Sequence, residues 1–209
     1  MNTRNGAPVG GGPIEGEITL GLLQAVESDG QRSQRSLAQE LGIALGLTNA
    51  YLKRCIRKGL IKVSEAPANR YAYYLTPKGF SEKGRLTAQY LSDSLRFYRR
   101  ARSEIEQLLD TVATQRLTPI ALVGRGDLSE IALLFASHRG VAIAGIIASE
   151  GGPEIMGVPT VTNAAALSNV AAFLVTDSKA PQSAYDALVD GYGRERVFAP
   201  PLLKIVRRP

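Results

Sequence analysis

The chain has 209 residues and 22.4 kDa, with 44% hydrophobic, 21% charged and 6% aromatic residues, which suits one large or two small globular domains and excludes a mostly disordered chain. A single cysteine, Cys55, excludes an internal disulfide, a single histidine, His138, excludes a Cys/His metal cluster, and no apolar run approaches the roughly 20 residues of a membrane span. Charge is unevenly placed: residues 1–116 hold 17 Lys+Arg against 11 Asp+Glu, residues 117–209 hold 8 against 8, and residues 31–100 alone hold 14 against 4, a net of +10. Such asymmetry is the footprint of a polyanion-binding module joined to a neutral one, the alternative being a solvated basic surface.

Residues 1–14 open with MNTRNGAPVGGGP, four glycines and two prolines without apolar periodicity, and read as a tail without fixed structure. That start lacks the apolar stretch of a secretory signal, so a cytoplasmic location and no membrane partner are the expectation. From Glu17 the pattern turns helical, with Ile18, Leu22, Leu23 and Val26 on one face and Gly30 as the stop. A short second helix follows, capped by Ser33, with Leu37, Ala38 and Leu41 apolar. Gly42 then turns the chain into a third, basic helix over about Ala44 to Lys58. Leu60–Val63 and Tyr71–Thr76 read as two strands, joined by a hairpin tip at Ala66–Arg70.

Three helices followed by a hairpin make a winged helix over residues 15–76, in which the third helix enters the major groove of double-stranded DNA and the wing reaches backbone or minor groove. Leu45, Thr48, Leu52, Cys55 and Ile56 form the inward stripe of that third helix. Gly46, Asn49, Ala50, Lys53 and Arg57 lie on the opposite face, flanked by Leu47 and Arg54; Asn49 can read an adenine edge, and Lys53 and Arg57 can reach guanine or phosphate. Ser33, Gln34 and Arg35 at the start of the second helix can hold a phosphate, and Asn69 and Arg70 stand at the wing tip. Cys55 reads as a core residue, with a redox-sensing thiol as the alternative.

The run SQRSLAQELGIALGLTNAYLKRCIRKGLIKV, followed by NRYAYYLTPKGFSEKGRLTAQYL, resembles MarR-type winged-helix transcription regulators, and within them the subgroup associated with exopolysaccharide gene clusters. The resemblance covers about residues 15–105 and implies a bacterial, dimeric, sequence-specific DNA-binding protein. Leu47, Thr48, Ala50 and Tyr51 depart from the pattern and leave the operator sequence open.

Residues 77–116 read as one long helix with Pro77 in its first turn. Leu91, Leu95, Tyr98, Ile105, Leu109 and Val112 follow alternating steps of three and four, with Arg102 in the gap, which predicts pairing with a second copy. The alternative is packing of the stripe on the C-terminal domain of its own chain.

Residues 117–209 change character. Ile120–Val123 is a short apolar strand, Val141–Ile147 a second and Ala171–Val175 a third; a helix runs through Ile131, Leu134 and Phe135, another covers Pro181–Val189, and Val197–Ala199 follows. Strand and helix alternating in this way predict a Rossmann-like α/β domain with a parallel doubly wound sheet, whose ligands bind at the carboxyl ends of the strands. Gly124-Arg125-Gly126-Asp127-Leu128-Ser129 supplies two glycines of a phosphate-binding turn in the required strand-to-helix context, with Ser129 in place of the third. Ser149 and Glu150 end the second strand, where an acid takes a ribose hydroxyl, and Thr176 and Asp177 end the third. The expected ligand is a small-molecule effector, a nucleotide, nucleotide-sugar or NAD(H), with no covalent cofactor; the alternative is a domain that only mediates assembly.

GRGDLSEIALLF, VAIAGIIASEGGPEIMGVPTV and AAFLVTD are similar to the small Rossmann-like domain of sugar acyltransferases and nucleotide-sugar dehydratases, and the order winged helix then Rossmann-like domain is similar to that of the NADH-sensing Rex repressors. Catalytic signals are weak. Tyr185 is followed four residues later by Val189 rather than Lys, His138 has no evident acidic partner, and no G-x-S-x-G occurs. The sequence thus favours a homodimeric transcription regulator with a ligand sensor. Its alternatives are a constitutive DNA-binding dimer and a nucleotide-sugar enzyme with an accessory DNA-binding domain.

Overall fold

The computed structural model describes residues 15–66 and 70–207, so the tail expected over residues 1–14 lies outside them; the described residues divide into two compact units between Leu95 and Arg96. The first holds helices α1 (Glu15–Ser28), α2 (Gln34–Leu41) and α3 (Leu45–Arg57) and the hairpin β1 (Ile61–Ala66) and β2 (Arg70–Leu75). Helix α4 (Pro77–Thr114) runs across the boundary. The second unit holds β3 (Ile120–Val123), α5 (Asp127–Ala136), β4 (Ile143–Ile147), β5 (Thr160–Val161), β6 (Ala172–Val175), α6 (Pro181–Tyr192) and β7 (Val197–Phe198).

In the first unit the apolar positions of α1 at Ile18, Leu22, Leu23 and Val26 are buried, joined by Leu20 and Ala25. The helix stops before Gly30, whose carbonyl accepts the Tyr73 amide at 2.8 Å; a Cβ on Gly30 would lie 2.2 Å from the Tyr73 carbonyl oxygen, so the wing and this turn meet backbone to backbone. Ser33 caps α2 by accepting the Ser36 amide at 3.1 Å, and Gly42, with φ 63°, closes it. Helix α3 buries Thr48, Leu52 and Cys55 against Leu22, Leu23 and Leu37. Leu45 departs from the expected inward stripe. It is 41% exposed, whereas Thr48, three residues on, is fully buried. The hairpin pairs Ile61 with Leu75 through Ala66 with Arg70, and its tip residue Asn69 lies outside the described residues.

The stripe of α4 divides in two. Ile105, Leu109 and Val112, with Ala101, are buried in one core with Ile120, Leu122 and Leu128 of their own chain. Leu91, Leu95 and Tyr98 are 54%, 56% and 39% exposed. The expected single seam for a second copy is therefore corrected for its C-terminal half: spacing of three and four defines an apolar face but not its occupant. Polar contacts reinforce the intrachain packing. Arg139 donates to the Glu106 carbonyl at 3.3 Å and pairs with Asp110, Arg102 lies over the Phe135 ring, and Glu104 accepts the Leu202 amide.

The second unit is a five-stranded sheet, ordered β5-β4-β3-β6-β7 and parallel throughout. It is the doubly wound arrangement of the Rossmann-like class, with the strand order reversing between β3 and β6. Ile120, Ala121 and Leu122 are fully buried, as befits a central strand covered on both faces. Strand β5 is two residues long and pairs only at Thr160 and Val161, too short for alternation to reveal it. Among the described residues no helix is long and apolar enough to cross a membrane.

Candidate nucleic-acid interface and sheet-edge site

On α3 the buried positions recur every three or four residues, which turns Gly46, Ala50, Lys53 and Arg57 outward, all exposed, with Leu47 exposed beside them. Arg35 on α2 is exposed as well. Three of the other expected contacts, Ser33, Gln34 and Arg54, are engaged within the protein. Ser33 is the α2 cap, and Gln34 donates through Nε2 to the Tyr73 hydroxyl at 3.1 Å. Arg54 pairs with Glu15 and lies over the Tyr51 ring. Asn49 sits at the edge of the outward face, half-buried, its Oδ1 buried without a hydrogen-bond partner among the described residues. Arg70 begins β2.

Cys55 is 1% exposed, and burial pushes its thiol above the ordinary range, against the smaller opposing pull of Lys58 and Arg54. A cleft of about 240 Å3 lies beside it, lined by Glu15, Arg54, Lys58, Glu82 and Arg85 among others. The hydrogen bonds from Arg85, at 2.7 and 2.8 Å, hold the Glu82 carboxyl below its usual value. This cleft joins residues from both ends of the unit, and no local motif announces it.

At the carboxyl edge of the sheet three strand ends lie side by side. The Gly124 amide donates to the Ile147 carbonyl at 2.9 Å, and the Thr176 amide to that of Val123 at 2.8 Å. Thr176, buried, donates through Oγ1 to the Gly124 carbonyl at 2.8 Å. Gly124 has φ 112°, and a Cβ there would lie 2.3 Å from the Asp177 backbone, so only glycine fits. Asp177 accepts the amides of Lys179 and Ala180 at 2.7 and 3.2 Å and thereby shapes the loop after β6.

The turn itself splits into used and unused groups. Ser129, fully buried, accepts the Gly126 amide at 3.0 Å and donates to the Gly126 carbonyl at 2.6 Å, which satisfies part of the α5 N-terminus from within. Leu128 puts its side chain into the core. Gly126 is extended at φ 161° and a Cβ there would touch nothing within 4 Å, so neither conformation nor packing demands glycine at that position. Arg125 and Asp127 are exposed, as are Ser149 and Glu150 in the loop after β4. A Cβ on Gly152, in the same loop, would lie 3.2 Å from Arg125 Nε, so the Arg125 side chain spans from the first turn to the second. His138 is exposed, its Nδ1 3.2 Å from the Leu134 carbonyl, and Tyr185 is buried. Among the described residues no group of three or more His, Cys, Asp or Glu is placed to hold a metal ion.

Residues 16–62 match the family model described as winged helix-turn-helix DNA-binding, so α1 to the start of β1 carry that fold. No curated protein matches the chain. Among solved structures, the PcaV transcriptional regulator from Streptomyces coelicolor, in complex with its natural ligand, is 21% identical over 38% of this chain and 57% of its own, with a TM-score of 0.36. MepR, a transcription regulator of the Staphylococcus aureus multidrug efflux pump MepA, is 25% identical over 39% of this chain and 59% of its own, with a TM-score of 0.34. An O-methyltransferase of neocarzinostatin biosynthesis, NcsB1, in complex with S-adenosylmethionine, covers 87% of this chain and 61% of its own at 15% identity, with a TM-score of 0.27. The chain thus spans less than two thirds of the length of each, and scores of this size carry no argument about activity.

Proposed function

We propose that the protein is a homodimeric, sequence-specific DNA-binding transcription regulator whose α/β domain senses a small molecule. The observation that carries the DNA-binding part is the outward face of α3, where Lys53 and Arg57 stand exposed on the third helix of a winged helix-turn-helix segment, within a stretch of net charge +10. Phosphate contacts from that face and from Arg35 supply most of the affinity, and base edges meet Lys53 and Arg57. Selection of bound duplexes from a random DNA pool tests this. The expected result is an enriched two-fold-symmetric motif; a pool that stays random after repeated rounds overturns sequence-specific binding.

The sensing part is supported by the sheet edge, where Gly126 is a glycine that the protein's own packing does not require. A ligand phosphate approaching the α5 N-terminus is the kind of group that needs such a bare backbone. A nucleotide, a nucleotide-sugar or NAD(H) is the effector class, with Arg125, Ser149 and Glu150 on the side of the sugar. Exploitation of such a ligand as an effector requires that it bind two arrangements of the regulator with different affinity. Polysaccharide-biosynthesis genes are the targets that the resemblance of the first module implies. Thermal melting against NADH, NAD, ATP, coenzyme A and UDP-sugars tests the site: one of them raises the melting temperature with concentration, and Gly126→Val removes that rise while leaving the melting temperature of the unliganded protein. A flat response across the panel leaves the α/β domain an assembly module.

A further inference from the structure

We propose that the N-terminal half of α3 reads thymine through its C5-methyl group, with Leu47 and Ala50 setting this preference and Gly46 leaving the gap that lets the floor of the groove come close. The inference rests on the DNA-binding reading above and deepens it, from which helix meets DNA to which base that helix selects. None of the residues from Leu45 to Ala50 is charged. The two hydrogen-bonding side chains of this half are turned to the fold. Thr48 is fully buried and donates through Oγ1 to the Ala44 carbonyl at 3.2 Å. The Oδ1 of Asn49 is buried, so this amide does not present the paired donor and acceptor that an adenine edge requires.

What this half shows to solvent is apolar or bare. Gly46, Leu47 and Ala50 are exposed, Leu47 at 43%. At about 100° per residue Gly46 and Leu47 lie about 40° and 60° to either side of Ala50, whereas Leu45, also exposed, lies about 140° round the helix from it. The glycine is a second, independent observation. Glycine within a helix weakens it relative to alanine, yet a Cβ on Gly46 would meet nothing within 4 Å, so the fold neither needs glycine there nor gains from it. A surface that must approach the helix backbone does gain. Lys53 and Arg57 continue the ridge, about 60° and 20° from Ala50, which makes it bare and apolar at its N-terminal end and cationic at its C-terminal end. A recognition helix meets base edges with its N-terminal residues. A surface there without a free donor or acceptor selects no base by hydrogen bonding, and the apolar group that the major groove offers is the thymine methyl. Contact with Leu47 and Ala50 takes that methyl out of water and favours thymine over cytosine, which lacks it, while Lys53 and Arg57 supply the charge.

Deoxyuridine, which differs from thymidine only by the missing methyl, tests this. In a duplex recovered by selection each thymine is replaced in turn, and binding of the full chain is followed by fluorescence anisotropy. The expected result is that at least one replacement in each half of the motif weakens binding by about fourfold, the worth of one methyl group taken from water. Leu47→Ala keeps its melting temperature, and at one such position its penalty for deoxyuridine falls below about twofold. Any effect of deoxyuridine on the duplex itself is common to both proteins, so the difference between them isolates the contact. Equal binding by the unmodified protein at every position overturns the proposal, and so does a penalty that Leu47→Ala retains in full throughout. Gly46→Leu, which fills the gap, is expected to weaken binding at least about tenfold without lowering the melting temperature, and an unchanged affinity overturns the close approach and the proposal with it. A pool that yields no motif overturns the DNA-binding reading itself, whereas a motif indifferent to deoxyuridine leaves that reading standing and removes this one.

Discussion

The two units use their polar groups in opposite ways. In the first, a helix holds Lys53 and Arg57 outward from a core of Leu22, Leu37 and Leu52, so side chains are what it offers a partner. In the second, the polar side chains at the sheet edge turn on their own backbone: Ser129 serves Gly126, Thr176 serves Gly124, and Asp177 serves Lys179 and Ala180. What remains to offer there is backbone, at Gly126 and the start of α5, with Arg125 and Glu150 around it. A substitution on the α3 face therefore changes binding without touching the fold, whereas one at the sheet edge does either, according to which glycine it strikes.

The largest effect expected is at Gly124. A methyl group there meets the Asp177 backbone at 2.3 Å in a conformation that favours glycine, so Gly124→Ala lowers the stability of the α/β unit by about 3 kcal/mol, read by calorimetry as an earlier transition. Gly126→Ala, two residues away, changes stability by about 0.5 kcal/mol or less, because the space is open and the backbone extended. Equal losses at the two positions would mean that Gly126 is as structural as Gly124.

Next in size is the DNA-binding face. Arg57→Ala, exposed, leaves melting unchanged and weakens DNA binding by about tenfold at moderate salt, the effect of roughly one phosphate contact. A stability loss in this variant would place Arg57 in the fold rather than on its surface.

Smaller again is the cap of α2. Ser33→Ala removes the acceptor for the Ser36 amide and costs about 1 kcal/mol by denaturant unfolding. It also discriminates a structural Ser33 from a phosphate-binding one: loss of DNA affinity beyond the loss of stability would show the second.

The smallest concerns pH. The folded Cys55 thiol is raised above its ordinary value of 9.0 by burial, so the unfolded chain gives up this proton first. Its contribution to stability is complete below about pH 9 and is lost as pH rises through the folded value. Cys55→Ala flattens that alkaline decline, and in the native protein Cys55 resists thiol reagents near neutral pH; rapid labelling would revive the redox-sensing alternative.

Much of this architecture is legible in the chain because its signals are local. The α3 outward face follows from helical period alone, and the Ser33 cap from one residue type at one position. The alternation of apolar strands with helices announces the parallel sheet, although β5, with two residues, carries too little pattern to be seen. What the sequence leaves undecided is which surface an apolar stripe meets. Ile105, Leu109 and Val112 look the same as Leu91, Leu95 and Tyr98 on a helical wheel, but the former find Ile120, Leu122 and Leu128 only once β3 and α5 have folded. Spending of polar groups is equally invisible. Nothing in Gly-Arg-Gly-Asp-Leu-Ser says that the serine binds the second glycine, and nothing near Gln34 points to the hydroxyl of Tyr73, 39 residues away.

The α3 face is tested by the salt dependence of DNA binding, measured by fluorescence anisotropy on a duplex recovered by selection, for the unmodified protein and for the Lys53→Ala/Arg57→Ala double variant. The expected result is a steep fall of affinity with salt for the first and a slope shallower by about two phosphate contacts for the second. Identical slopes and affinities for the two proteins would contradict the assignment of the α3 outward face as the surface that meets DNA.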